Sequence, residues 1–262
     1  MNNTQIFDKD LNPVLEVASA DDLAPYVGYI KDKISEDLTI SDVYKKYSPD
    51  HTQYADLIAR EIRDMGGNSF ANIFRGEGPE YHEIVCDVAD KVGASYNKNR
   101  DVETIENAIL EKILEKALEK MSDDEKAKLM EAMGGKAGFN KGGLSNAAFI
   151  AIFKAGGFYS YQLTVIIANQ IAKAILGKGL SFAANRTITQ VAAVLTGPIG
   201  WAISGIWAAI DIAGPAYKVT IPCVIHTAML RKKYNAQNCS SCGAQIPDTT
   251  AKFCTECGNK LG

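Results

Sequence analysis

Two copies of one short pattern near the C-terminus constrain this chain more than anything else in it. They read Cys239-Ser-Ser-Cys242-Gly243 and Cys254-Thr-Glu-Cys257-Gly258, and eleven residues separate Cys242 from Cys254. Each Cys-x-x-Cys brings two thiolates onto one tight turn, and the glycine that follows relieves crowding where the chain reverses. Two such knuckles supply four sulfurs at about 2.3 Å, the closed tetrahedral shell of a structural zinc ion. The spacing therefore predicts a small zinc ribbon over residues 235–262, with Zn2+ as cofactor and Cys239, Cys242, Cys254 and Cys257 as its ligands. Iron on four thiolates is the alternative chemistry. The residues between the knuckles, Ile246, Pro247 and Phe253 among them, suit a hairpin whose core is too small to fold without metal. Four filled positions leave no place for a water, so hydrolysis at this centre is not expected.

The sequence begins Met1-Asn2-Asn3-Thr4-Gln5, with neither a basic stretch nor an apolar run of the kind that directs secretion. The expected location is the cytoplasm, at most peripheral to the inner membrane. Paired cysteines in a reducing compartment point to metal rather than to disulfides.

Charge divides the rest of the chain. Residues 1–141 hold 18 basic and 28 acidic side chains, a net of −10. Residues 142–230 hold only Lys154, Lys173, Lys178, Arg186 and Lys218 against Asp211, a net of +4, and residues 231–262 add five bases and two acids. The expected organisation is all-α. It comprises a charged helical lobe (1–133), a glycine-rich hinge (134–143), an apolar Gly/Ala-rich helical lobe (144–234) and the ribbon (235–262).

In the acidic lobe, Asp21-Asp22-Leu23 reads as the start of a helix running to about Ile34. Tyr54, Leu57, Ile58 and Ile62 recur at helical spacing up to Gly66-Gly67-Asn68, and Tyr81, Ile84, Val85 and Val88 do so up to Gly93. Residues 101–121 form the clearest helix, with Ile105, Ile109, Ile113 and Leu118 set among glutamates and lysines, Glu106 included, that read as a solvated face. Ser122-Asp123-Asp124-Glu125 has the form of a capping box. Arg75, Glu77 and Tyr81 suggest a polar clamp on the loop between helices. The hinge lacks the Gly-Lys-Ser/Thr ending of a phosphate-binding loop.

Beyond the hinge, Gly142–Phe153, Ala155–Ala172, Thr187–Ile210 and Val219–Leu230 carry no charge. Without strand alternation they read as helices, with turns near Gly177–Gly179, Gly197-Pro198 and Gly214-Pro215. Thr187–Ile210 has the length of a bilayer span, and small residues recur every fourth position from Ala192 to Ala208. Pro198 argues against a single continuous helix. The composition fits a permanent span, a hairpin that docks on a bilayer reversibly, and a hairpin packed within protein. Trp201 and Trp207 suit an interface with lipid or a partner. Asp211 is the one acid of this lobe, and its simplest role is pairing with Lys218 or capping a helix near the Gly214-Pro215 break.

The block Gly66-Gly67-Asn68-Ser69-Phe70-Ala71-Asn72-Ile73-Phe74-Arg75-Gly76 and the block Tyr217-Lys218-Val219-Thr220-Ile221-Pro222 carry a resemblance over about residues 15–234. The chain resembles the bacterial YaaW-like family, which is linked by remote similarity to ubiquinol–cytochrome c chaperones. That resemblance implies an assembly role and transfers no catalytic residue; the ribbon looks like an appended module.

No catalytic constellation stands out. His82 and Cys86 share a helical face without a third ligand, His51 and His226 are isolated, and no nucleophile-elbow pattern occurs. The leading expectation is a non-enzymatic, membrane-interacting protein whose apolar hairpin docks on or enters a bilayer, with lysines at its ends favouring anionic lipid. The alternative is a soluble adaptor or chaperone-like assembly factor that binds a protein partner through the ribbon and helices. Nucleic acid is not an expected partner, since few aromatics and few bases lie in the ribbon. The sequence leaves homo-oligomer formation open.

Overall fold

A computed structural model describes residues 7–31, 37–66, 78–132, 145–180 and 215–235, and in the C-terminal region residues 237–238, 245–246, 252–254 and 258–260. Helix α1 (Asn12–Glu16) carries Pro13 in its first turn, where a missing N–H costs nothing. Helix α2 (Ala20–Lys31) is capped by Ser19, whose hydroxyl accepts the Asp22 N–H at 3.2 Å. Asp21 and Asp22 lie in its first turn, at the predicted helix start. Two short helices follow, α3 (Asp37–Ile40) and α4 (Asp42–Tyr47), then a 3-10 turn (His51–Tyr54) and α5 (Ala55–Gly66), which stops where the glycine pair predicts.

Helix α6 (Tyr81–Val92) ends on Gly93 as expected. Helix α7 (Val102–Lys120) starts from Asp101, which accepts the Thr104 N–H at 2.8 Å. The capping box at Ser122 forms in both directions. The Ser122 N–H reaches Glu125 Oε2 at 2.8 Å and the Glu125 N–H reaches Ser122 Oγ at 3.4 Å, opening α8 (Asp123–Ala132). Helix α9 (Asn146–Lys154) is capped by Ser145, and α10 (Gly157–Leu176) ends at the predicted glycine turn. Helix α11 (Pro215–Tyr234) opens on Pro215 at the other predicted break.

Helix α11 is the axis of this all-α body. It packs against α1, α2, α5, α6, α7 and α10. Buried side chains from before and after residues 134–143 share one core, with Tyr26, Ile58, Ile105 and Ile109 on one side and Ile166, Val224 and Leu230 on the other. Every residue of α10 from Ser160 to Ala172 is buried. This is the packing of an apolar helix enclosed by protein on all sides. No single described helix is long and apolar enough to cross a membrane. Helices α9 and α10 together have the length and composition, but they meet at 110°. The hairpin expectation for Thr187–Ile210, with Trp201, Trp207 and the nearby Asp211, lies outside the described residues. So do Arg75, Glu77 and the hinge.

One local expectation changes. Glu106, read as part of a solvated face, is only 1% exposed. Arg63 holds the described end of the loop before α6. Its Nε donates to the Pro79 carbonyl at 2.8 Å and its Nη2 to the Gly78 carbonyl at 3.0 Å. A Cβ on Gly78 would lie 2.3 Å from the Arg63 carbonyl carbon, so only glycine lets the two backbones meet there.

Candidate metal centre and its anchoring helix

The ribbon begins three residues beyond the end of α11. Strand β1 (Gln237–Asn238) pairs antiparallel with β2 (Gln245–Ile246), and Asn238 lies opposite Gln245. Further on, an isolated antiparallel bridge places Phe253 opposite Lys260. In both hairpins the residue just before the first cysteine pairs with the residue seven positions later. The residues that flank the two Cys-x-x-Cys-Gly runs are thus paired in one register, which is compatible with a pair of zinc knuckles.

The second knuckle shows the turn itself. The Gly258 N–H donates to the Cys254 carbonyl at 2.9 Å, and the Cys254 N–H donates to the Asn259 carbonyl at 2.7 Å. Gly258 has φ 71°, a left-handed conformation open to glycine. Cys254 is buried while its neighbour Phe253 is 58% exposed, the alternation of a strand with one face turned inward. Phe253 lies in a hairpin as its place between the knuckles suggests, and strand alternation turns it outward. Cys239, Cys242 and Cys257 lie outside the described residues, and among the described residues no cluster of metal-ligating side chains is assembled. One inward cysteine on a glycine-closed turn, with both hairpins in the same register, fits a thiolate-bound zinc ion.

The helix that carries the ribbon is bound to the body through its last turn, Arg231-Lys232-Lys233-Tyr234. Arg231 donates to both oxygens of Glu106, at 2.9 and 3.2 Å, and to the Asp10 carbonyl at 2.7 Å. Tyr81 OH donates to the same Glu106 carboxylate at 3.0 Å, while the Tyr81 N–H reaches Asp8 at 2.7 Å. Burial pushes the Glu106 carboxyl above the usual glutamate range, and Arg231 and Tyr81 pull it back. The guanidinium, itself opposed by burial, is held charged by that carboxylate. A bidentate pair of this kind fixes orientation as well as charge.

A second hub is Asp22. Lys233 Nζ donates to its two oxygens at 2.8 and 2.7 Å, Tyr234 OH donates to Oδ2, and Ser19 Oγ donates to Oδ2 at 2.7 Å. Burial raises the Asp22 carboxyl, but these donors outweigh it and leave the group below its ordinary value. The Asp22 backbone carbonyl accepts His226 Nε2 at 2.9 Å. Between the two hubs Lys232 lies partly buried with its ammonium 5.7 Å from the Phe153 ring centre, and burial lowers its pKa.

The basic run Arg231-Lys232-Lys233 is therefore turned into the protein. Sequence reasoning missed Glu106, Arg231 and Asp22 as a set. One signal was available: Glu106 falls in the helical phase of Val102, Ile105, Ile109 and Ile113, on the apolar stripe rather than opposite it. Of the residues proposed as membrane or partner contacts, Lys218 is half-buried in the first turns of α11, and the other three lie outside the described residues. His82 Nδ1 stands 3.9 Å from Cys86 Sγ, and its Nε2 lies 3.1 Å from the Arg100 carbonyl. Burial and the nearby Asp87 and Asp90 raise the Cys86 thiol, the opposite of what a nucleophile or thiolate ligand needs.

Comparison with known proteins follows the same division. The sequence model of the ubiquinol-cytochrome C chaperone family matches residues 50–226, and that of the zinc-ribbon domain matches residues 238–261. A UPF0174 protein of Helicobacter pylori strain J99 is 46% identical over 239 residues, covering 88% of this chain and 94% of the relative. A second UPF0174 protein of that strain is 40% identical over 210 residues, covering 78% of this chain and 100% of the relative. The UPF0174 protein YaaW of Escherichia coli K12 is 29% identical over 247 residues, covering 90% and 99%. No solved structure matches the chain. The chain belongs to the UPF0174 family that includes YaaW, with a ubiquinol-cytochrome C chaperone-type body and a C-terminal zinc-ribbon domain.

Proposed function

We propose that the chain is a non-enzymatic adaptor or assembly factor that binds a protein partner through its ribbon. The ribbon is closed by Zn2+ on Cys239, Cys242, Cys254 and Cys257. The observation that carries this reading is the shared register of the two knuckles, set three residues beyond a helix end bound into the body. A metal-closed hairpin pair has no open coordination position for chemistry, so its use is its surface. A chaperone-type body supports the same role. Reduced thiols suit the cytoplasm, where such a centre would persist.

A bilayer-docking role has less support. It rests on Thr187–Ile210, outside the described residues, and on basic residues that Glu106 and Asp22 engage internally. Pull-down from native cells, comparing the natural chain with Cys239→Ser and measuring zinc in each, tests the proposal. The substitution is expected to release the metal and remove the bound partner while the helical body stays folded. A partner set unchanged by Cys239→Ser takes the ribbon out of the docking role.

A further inference from the structure

Among the described residues of the ribbon, Phe253 is an aromatic ring turned to solvent. Its neighbour Cys254 turns inward and is buried, whereas Phe253 stands 58% exposed. Residues opposite each other in an antiparallel pair project on the same face, so Lys260 shares the face of Phe253. Lys260 and the adjoining Lys252 are both exposed. A phenylalanine turned outward contributes little burial to the fold of its own hairpin. A large exposed ring beside cationic side chains is the composition of a contact site.

We infer that the Phe253–Lys260 hairpin docks an acidic, apolar segment of a partner protein. Phe253 is the anchor, Lys260 on the same face receives a carboxylate, and the exposed Lys252, next to the ring in sequence, adds a second positive charge. This deepens the reading of the ribbon as a protein-docking module and rests on it.

The charges select the class of partner. Residues 235–262 carry Lys252 and Lys260 against Asp248 and Glu256, a net of zero. The three bases just upstream are committed, Arg231 to Glu106, Lys233 to Asp22, and Lys232 over Phe153. Among the described residues next to the ribbon these bases form no track for a polyanion, and the net charge of −10 over residues 1–141 opposes one. Two lysines beside one ring match instead a short segment with a carboxylate or two next to an apolar side chain. An anchor ring in the middle and charges at its edge is how small interfaces divide affinity from selectivity.

The test uses the full zinc-loaded chain and a display library of random linear peptides. The expected result is enrichment of peptides that place an apolar residue next to Asp or Glu. Phe253→Ser should weaken the enriched peptides about thirtyfold. The double change Lys252→Glu/Lys260→Glu should reverse the preference toward basic flanks. Both changes are at exposed positions, and unchanged zinc content verifies that the ribbon stays closed.

Enriched peptides indifferent to Phe253→Ser and to the charge reversal overturn the inference, as does a library that yields no acidic, apolar peptides. Binding of a single-stranded oligonucleotide that depends on Phe253 overturns it in favour of nucleic acid. Concentration-dependent dimerisation in light scattering that is lost with Phe253→Ser overturns it in favour of a second copy of this chain. Cys239→Ser separates the two levels of the argument. Peptides lost with Cys239→Ser but kept with Phe253→Ser leave the docking ribbon standing and refute this face of it. Peptides kept through both changes refute the ribbon altogether.

Discussion

The body of this chain buries Tyr26, Tyr29 and Tyr81 completely, together with a core that runs through every long helix. In the ribbon, of the six residues at 252–254 and 258–260, Cys254 alone is buried. The body is held by apolar area and by polar pairs sealed beneath it. The ribbon has two-residue strands, and such a pair is far below the size at which strands are stable alone. Stability that the body draws from its core would have to come, in the proposed ribbon site, from one ion. The boundary between the two is not a loose tether. Arg231, Lys233 and Tyr234 hold the last turn of α11 to Asp10 just before α1, to α2 and to α7, and the ribbon follows.

The sharpest way to break that contrast is to remove the metal. Structural zinc contributes roughly 10–16 kcal/mol to the folding of isolated zinc-finger peptides. Chelation is expected to abolish amide protection in residues 237–260 and to leave the thermal midpoint of the helical body where it was. Hydrogen exchange read by mass spectrometry separates the two regions. If the body midpoint fell with the ribbon, the ribbon would be part of the body's fold and the division would be wrong.

The converse experiment strikes the body and spares the metal. Arg231→Ala leaves the Glu106 carboxylate buried without its cation, a loss of about 3–5 kcal/mol by the usual cost of breaking a buried pair. Replacing both partners, Glu106→Leu with Arg231→Met, is expected to recover most of that loss, because neither charge is then stranded. Denaturant midpoints measure both. Zinc content should not change in either variant, provided the ribbon depends on its ion rather than on the pair beneath it.

The sequence made one of these regions far more legible than the other. The metal centre is local: four cysteines and two glycines at fixed spacing specify the knuckles, and the paired register of Asn238 and Phe253 agrees with them. Helix ends were legible for the same reason, as at Ser122-Glu125, Gly177 and Pro215, where a cap or a breaker acts within a few residues. The pair Glu106–Arg231 spans 125 positions, and Asp22–Lys233 spans 211. Nothing local announces such a partner, so charge on a helix reads as solvated and a basic run reads as surface. The exposure of Phe253 was not legible either, because it depends on strand phase around the knuckle, which composition does not give.

The smallest effect, and the one that assigns acid sensitivity to a region, belongs to His226. Its Nε2–H donates to the Asp22 carbonyl, its Nδ1 is buried without a hydrogen-bond partner among the described residues, and the Tyr26 ring stands edge-on at 4.7 Å. Burial pushes the imidazole down to about 4 from 6.5, against the pull of the Asp22 contacts. Above the upper of these values both folded and unfolded chains are neutral at this site and it contributes no pH dependence. As pH falls from 6.5 to about 4 the unfolded chain binds a proton that the folded chain refuses. Stability therefore declines toward acid by on the order of 3 kcal/mol in total, then levels off. Asp22, held below its ordinary 3.8, adds its own loss only at still lower pH. Glu106, raised by burial, works weakly the other way just above its ordinary 4.5. Chemical denaturation at a series of pH values gives the profile, and His226→Phe should flatten it between 6.5 and 4 while zinc release on acidification stays as it was. A profile that keeps its slope in His226→Phe would move the acid sensitivity out of the α2–α11 packing. Were zinc release to shift with it, body and ribbon would share one titration, and the helix end between them would be a coupling rather than a boundary.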